Sequence, residues 1–321
     1  MHSRRRCNSG TQTLRKLFIA SSAFQRQVME TIVELSGVCK RYRQRIALDE
    51  VSLAIGRGEV VGVLGSNGAG KSTLLRIITG LVRPTCGEVR LFQKPPNPSA
   101  RSRIGALIER ADAYPYLTGA ENLEVVLRLR GQSPSRSLIE ALLDRVGVAD
   151  AMDQVVRTYS YGMRQRLGLA MALAGDPELV ILDEPVNGLD PRGIADVRQL
   201  ITSLHREGKT VIISSHLLSE VELVATRLVV LRDGRIIADG ALEELLSRVA
   251  SHATIETVQP ADVVVELLNR QLNVEKIRPH AVRIAAEDVH NAIVHLVGAG
   301  ISIRAVVPER SLEQFYFAAT T

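Results

Sequence analysis

From Thr31 onward the hydrophobic positions change period several times. Ile32–Val38 and Ile46–Ile55 alternate apolar and polar residues around a polar turn, as half-buried strands do. Gly56-Arg57-Gly58 reads as a turn, and Glu59–Leu64 is a short, almost wholly apolar run. Such a run suits a strand covered on both faces, as in parallel sheets. A Gly-rich loop and a helix over Lys71–Thr79 follow, then a strand over Arg103–Ile108. Thr118 with Glu121 is a capping-box signature that opens a helix to about Arg130, and Ser137–Val146 continues in helical style. Leu179–Leu182 and Thr210–Ser214 are further buried strands, separated by a helix that starts at Asp190-Pro191 as N-cap and first-turn proline and runs through Arg206. Arg227–Leu231 and Arg235–Ala238 form a hairpin about Asp233-Gly234. The pattern predicts an α/β domain with a helical insertion near residues 110–160.

Past Gly240 the register changes. A helix over Leu242–Val249 leads into Ala253–Val258 (strand), Pro260–Arg270 (helix), Val274–Ile277 and Ala281–Ala286 (strands), Val289–Val297 (helix) and Ile301–Val307 (strand). The order β-α-β-β-α-β is that of a ferredoxin-like split βαβ unit; the competing expectation is an irregular helical extension. The expected organisation is therefore a basic extension over 1–30, an α/β domain over 31–240 and a small α+β domain over 241–321.

Composition narrows the function classes. The chain of 321 residues has room for two cores. Aromatic residues make up 3% and Trp is absent, which disfavours a protein that stacks bases on aromatic platforms. Cys7, Cys39 and Cys86 are odd in number with no close pair, which argues against a disulfide scaffold or a zinc knuckle and fits a reducing compartment. The longest stretch without Asp, Glu, Lys or Arg, Val289–Ile303, is shorter than the roughly 20 apolar residues of a membrane-spanning helix. Work at a membrane then requires docking to another protein. The net charge of +5 resides in the tail, where Arg4, Arg5, Arg6, Arg15, Lys16 and Arg26 stand without an acid before Glu30. The body is near neutral, so no direct nucleic-acid partner is expected. The tail itself has three readings: a disordered basic arm, a transit peptide, or residues upstream of a translation start at Met29.

Gly65-Ser66-Asn67-Gly68-Ala69-Gly70-Lys71-Ser72 fits G-x-x-x-x-G-K-[ST], with a buried strand before it and a helix after it. Glycines there let backbone N–H groups turn inward as an anion nest at a helix N-terminus. Lys71 would pair with the β- and γ-phosphates of a nucleotide, Ser72 would ligate Mg²⁺, and Thr73 could reach the α-phosphate. The second signal is the buried strand Leu179–Leu182 ending in Asp183-Glu184-Pro185. Asp183 would hold Mg²⁺ through its hydration shell, and Glu184 would polarise the water that attacks the γ-phosphate.

Taken together the motifs resemble the nucleotide-binding subunit of the ATP-binding cassette (ABC) superfamily, in order over about Val33–Gly240. Tyr159-Ser160-Tyr161-Gly162-Met163 resembles the family's signature loop, and Asn187-Gly188-Leu189-Asp190-Pro191 its dimer-contact loop. His216 matches the switch histidine and Tyr42 the aromatic that stacks on adenine. Each has a plainer use: Tyr42 as a surface tyrosine, His216 and Ser160 as helix caps. The resemblance implies a P-loop, RecA-like fold with a helical subdomain, ATP and Mg²⁺ as ligands, and ATP hydrolysis by a head-to-tail dimer of ATPase subunits, homo- or heteromeric. Ser160 and Gly162 would then touch the γ-phosphate held by the other protomer's Lys71 loop.

Two departures stand out. Tyr161 and Met163 replace the usual Gly and Gln of the signature, adding bulk while Ser160 and Gly162 survive. Glu109 stands where the family usually has Gln; a carboxylate can still meet Mg²⁺ but adds negative charge beside the phosphates. Both departures, with "YGMRQRLGLAMAL", "EPVNGLDP" and the ending "SLEQFYFAATT", resemble the bacitracin- and lantibiotic-type export ATPases. The expected function is therefore an ATPase subunit, peripheral at the cytoplasmic face of the membrane, that powers a separate transmembrane permease. The alternatives are a soluble ABC ATPase acting on ribosomes or nucleic acid, and an importer ATPase.

Overall fold

The computed structural model describes residues 30–109, 112–247, 252–269, 272–309 and 312–320; the basic extension and its three readings lie outside them. Strands β1 (Thr31–Tyr42) and β2 (Arg45–Gly56) form a long antiparallel pair. After them come β3 (Val60–Leu64), α1 (Lys71–Ile78), β4 (Cys86–Leu91), α2 (Pro98–Ser102) and β5 (Ile104–Leu107). Helices α3 (Gly119–Leu129), α4 (Arg136–Arg145) and α5 (Tyr161–Leu173) make up the helical insertion. The chain then alternates through β6 (Leu179–Asp183), α6 (Pro191–Arg206), β7 (Thr210–Ser214), α7 (Leu218–Glu222), β8 (Arg227–Arg232), β9 (Arg235–Ala241) and α8 (Leu242–Ser247). The remainder is β10 (His252–Thr257), α9 (Ala261–Leu268), β11 (Val274–Arg278), β12 (Ala281–Ala285), α10 (Val289–Gly298), β13 (Ile303–Glu309) and α11 (Leu312–Thr320).

The central sheet has the order β5-β6-β7-β3-β8-β9, parallel except for β9. Every residue of β3, β6 and β7 is buried, because elements cover both faces of the sheet. One side carries α1 and the antiparallel sheet β2-β1-β4; the other carries the helical insertion and α6. Each Leu or Ile removed from water in these layers contributes about 2 kcal/mol. Gly105 on β5 permits the closest approach, since a Cβ there would run into the Ala172 carbonyl of α5. The local signals hold in the structure: Thr118 and Glu121 make the reciprocal capping box of α3, and Asp190 caps α6 through Gly193 N at 2.9 Å.

The cysteine expectation needs correction. Cys39 on β1 and Cys86 on β4 are register partners and are joined as a disulfide. Their 47-residue separation concealed the pair, because β4 reaches β1 only after α1 has been built between them.

A third sheet, β11-β12-β10-β13, is wholly antiparallel. Val264 and Leu268 of α9 and Ala292 and Leu296 of α10 pack on it with Ile255, Val282 and Ile284. The first and third strands of the unit lie at its centre, as in a split βαβ arrangement. Helices α8 and α11 belong elsewhere. Leu242, Leu245, Leu246, Leu312 and Phe315 share a core with Leu64, Val221, Leu228 and Val230 of the nucleotide-binding fold. The polypeptide thus leaves that core after Ser247 and returns to it at Leu312.

At the edge opposite the phosphate loop, Glu178 joins the turn before β3 to that before β5. Arg103 donates from Nη2 at 2.7 Å and also through Nε, and Arg57 Nη1 donates at 2.7 Å. The Arg103 hydrogen bonds, opposed by partial burial and aided by Arg57, hold the Glu178 carboxyl down at about 2. Its folded pKa lies below the ordinary 4.5, so this contribution to stability is full above pH 4.5 and is lost as the pH falls toward 2. Glu178→Gln is expected to flatten the fall in melting temperature across that window. An unchanged acid slope in the variant would remove Glu178 from this role.

Candidate active site

The buried strand β3 delivers the chain to the C-terminal edge of the parallel sheet, where the loop Gly65–Gly70 turns into α1. Two glycines make this turn possible. Gly65, at φ +155°, has the Leu231 carbonyl oxygen only 2.5 Å from where a Cβ would stand, and Gly70, at φ +110°, has that of Ala47 at 2.5 Å. The loop is braced from outside. Gly234 N, in the β8–β9 turn, donates to Ala69 O at 3.0 Å, and Asp49 N donates to Gly234 O at 2.9 Å. Lys71 is buried and curls back over the loop, its Nζ donating to Gly65 O at 2.7 Å and Ser66 O at 3.4 Å. No side chain caps α1 and no acid stands in its first turn, which leaves the positive end of the helix for an anion.

A cleft of about 590 Å³ opens over this loop. Ser66, Asn67, Gly68, Gly70, Lys71, Ser72 and Thr73 form its floor, and Tyr42, Glu109 and Glu184 stand on its walls. Gly65 and Ala69 shape the loop without lining the cleft. The Tyr42 ring is 42% exposed and carries Lys40 Nζ 5.0 Å from its centroid. The acids come from the end of β6. Asp183 is 2% exposed; its Oδ1 accepts from Ser214 Oγ, while its Oδ2 is buried with no hydrogen-bond partner. Glu184 turns into the left-handed region at φ +51°, and its backbone N donates to Ser214 O and Oγ. Its Oε2 meets His216 at two points, Nδ1 at 2.6 Å and the backbone N at 3.2 Å. His216 therefore orients a carboxylate; the N-cap position of α7 falls to Leu217.

Ser160, Gly162 and Asp190 do not line the cleft. Ser160 caps α5, its Oγ accepting from Met163 N at 3.2 Å, and Asp190 caps α6. The bulk added at Tyr161 has a place: its ring lies over Gly188, where a Cβ would be 2.7 Å from Cε1. Two charged cleft residues escaped the sequence reading. Arg45 faces Tyr42 across the β1–β2 turn and donates from Nη2 to Gly68 O at 3.2 Å. Arg76 lies one helical turn after Ser72 on α1 and pairs with Glu109; helical periodicity alone could have placed it beside Ser72.

The ABC transporter family profile matches residues 48–187. An ABC transporter ATP-binding protein of Bacillus subtilis, YhcH, is 37% identical over 91% of this chain and 97% of its own. The chain belongs to the ABC transporter family. The cassette is also 40% identical to the bacitracin transport ATP-binding protein BcrA of Enterococcus faecalis, over 69% of this chain and 73% of that one. A dimeric post-hydrolysis structure of the ATP-binding cassette MJ0796 with ADP and Pi superposes with a TM-score of 0.61 at 29% identity, covering 66% of this chain and 99% of that one. The cassette is thus an ATP-binding and ATP-hydrolysing subunit of a transporter.

Its donor set also fits Mg²⁺. Asp183 Oδ2, next in the chain to the cleft residue Glu184, is a hard oxygen that burial leaves in need of a partner, and Ser72 lines the cleft floor. Among the described residues no group of three or more His, Cys, Asp or Glu could form an all-protein cage.

Proposed function

We propose that this ATPase drives a separate transmembrane permease that exports an amphiphilic peptide antibiotic or related drug, working from the cytoplasmic face of the membrane. The similarity to a bacitracin transport protein supports the cargo class. Among the described residues no helix is long and apolar enough to cross a membrane, and the proposal gives that task to the permease. A groove of about 370 Å³ between Leu81, Ile108, Met171, Arg101 and Arg130 lies where the helical insertion meets the central sheet, and offers the permease a seat.

Tyr42 stacks on adenine, Lys71 and the N-terminus of α1 hold the β- and γ-phosphates, and Thr73 reaches the α-phosphate. Ser72 directly, with Asp183 and Glu109 through water, would hold Mg²⁺, which neutralises the charge on the phosphate oxygens. Glu184 takes the proton from the water that attacks the γ-phosphorus, and His216 keeps its carboxylate aimed.

The observation that carries the dimeric part of this reading is the position of Ser160, Gly162 and Asp190, all outside the cleft that holds Lys71. A second copy, turned head to tail, would bring its own Ser160 helix end to the γ-phosphate and close the site. ATP then shifts the population toward the closed pair, and hydrolysis resets it. In a Glu184→Gln background, adding Ser160→Arg is expected to abolish the ATP-dependent dimer in size-exclusion chromatography. Affinity of the single chain for ATP should stay within about threefold, since no direct contact is removed from its own site. A dimer that survives the arginine, or a single-chain affinity that collapses, overturns action in trans. For the cargo, cells producing the chain with its permease are expected to tolerate a bacitracin-type peptide, and cells carrying Glu184→Gln are not; equal tolerance rejects the export reading.

A further inference from the structure

Glu109 sets a second carboxylate in a cleft where Glu184 already stands and into which a polyanion must enter. Uncompensated, that charge opposes triphosphate binding at every separation available within the cleft. The fold supplies a counter-ion from an unexpected quarter. Arg76 Nη2 and Glu109 Oε1 form an ion pair between the last turn of α1 and the segment that leaves β5 for the helical insertion. The partner of Glu109 is Arg76 and not Lys71, whose Nζ hydrogen-bonds with Gly65 O and Ser66 O on the floor of the phosphate loop. Both Arg76 and Glu109 line the cleft, so the pair stands where the phosphates and their ion would lie rather than on a remote surface. Ile108, the preceding residue, lines the groove on the other side of the same segment.

We propose that Arg76 is a positioning residue for nucleotide: it neutralises Glu109 and holds that carboxylate against α1, so that a site with an acid at 109 accepts a triphosphate. The inference rests on the ATPase reading. It makes the need for Arg76 conditional on Glu109, which a solvent-exposed ion pair of no consequence would not do.

A double-mutant cycle on the full chain tests it, with ATP affinity measured by calorimetry both with Mg²⁺ and with chelator. Arg76→Gln is expected to weaken metal-free ATP binding by about tenfold or more, because the bare Glu109 charge then faces the phosphates. Glu109→Gln alone should not weaken it. The double variant should bind within about threefold of Glu109→Gln, which also rules out misfolding as the cause of the first loss. With Mg²⁺ present the Arg76→Gln defect should shrink, because the ion takes over part of the neutralisation. If Arg76→Gln costs as much in the Glu109→Gln background as in the wild type, or costs nothing in either, the proposal is overturned. A wild-type chain that fails to bind ATP at all would instead refute the ATPase reading, so the two failures are told apart.

Discussion

Glu184→Gln is expected to lower ATP hydrolysis by at least about a hundredfold, the usual worth of a positioned general base. The amide has nearly the shape of the carboxylate, and its oxygen can still accept from His216 Nδ1 and the His216 backbone N, so the end of β6 should keep its form. What disappears is the capacity to take a proton from the attacking water. ATP binding, which depends on the Lys71 loop, should persist, and the variant should accumulate as a nucleotide-bound dimer that gel filtration resolves from the single chain. Hydrolysis at the wild-type rate would show that Glu184 is not the base.

Lys71→Ala acts on the other half of the site. Removing a buried, hydrogen-bonded cation that meets a charged ligand commonly costs about 2 kcal/mol or more, which corresponds to a loss in ATP affinity of about thirtyfold or more. In the protein without nucleotide the ammonium satisfies the Gly65 and Ser66 carbonyls. Those oxygens belong to a loop beside an open cleft and can turn to water, so the melting temperature should change little. Titration calorimetry and thermal unfolding on the same samples separate the two effects. An affinity within about threefold of wild type would refute the phosphate contact.

Features set by neighbours in sequence were legible before the structure. Glu59–Leu64, Leu179–Leu182 and Thr210–Ser214 read as buried strands because both faces of β3, β6 and β7 are covered, which removes the alternation a half-exposed strand would show. The Thr118–Glu121 box, the Asp190-Pro191 start and the Asp233-Gly234 hairpin were equally clear, since each is settled within a few residues. The phosphate loop was found for the same reason. By contrast, His216 stands out in the sequence only by resemblance, and its pairing with Glu184 emerges from the fold, because 32 residues and a whole strand–helix unit separate them. The Arg76–Glu109 pair and the Cys39–Cys86 bond join elements that meet through the tertiary fold. Tyr161 posed the subtler problem. Sequence displays its bulk, but only the structure discloses that Gly188, with no side chain, makes room for the ring.

The return of α11 to the nucleotide-binding core changes what the last eighty or so residues are. They form no detachable pendant but a handle riveted at both ends: at α8, and at α11, where Leu312 N donates to Glu222 Oε2 at the end of α7. Because α7 begins just after His216 and Leu64 immediately precedes Gly65, the rivets of the handle share their apolar core with the supports of the phosphate loop and of His216. Shortening the gene product after Ser247 would strip apolar cover from those supports as well as removing a module.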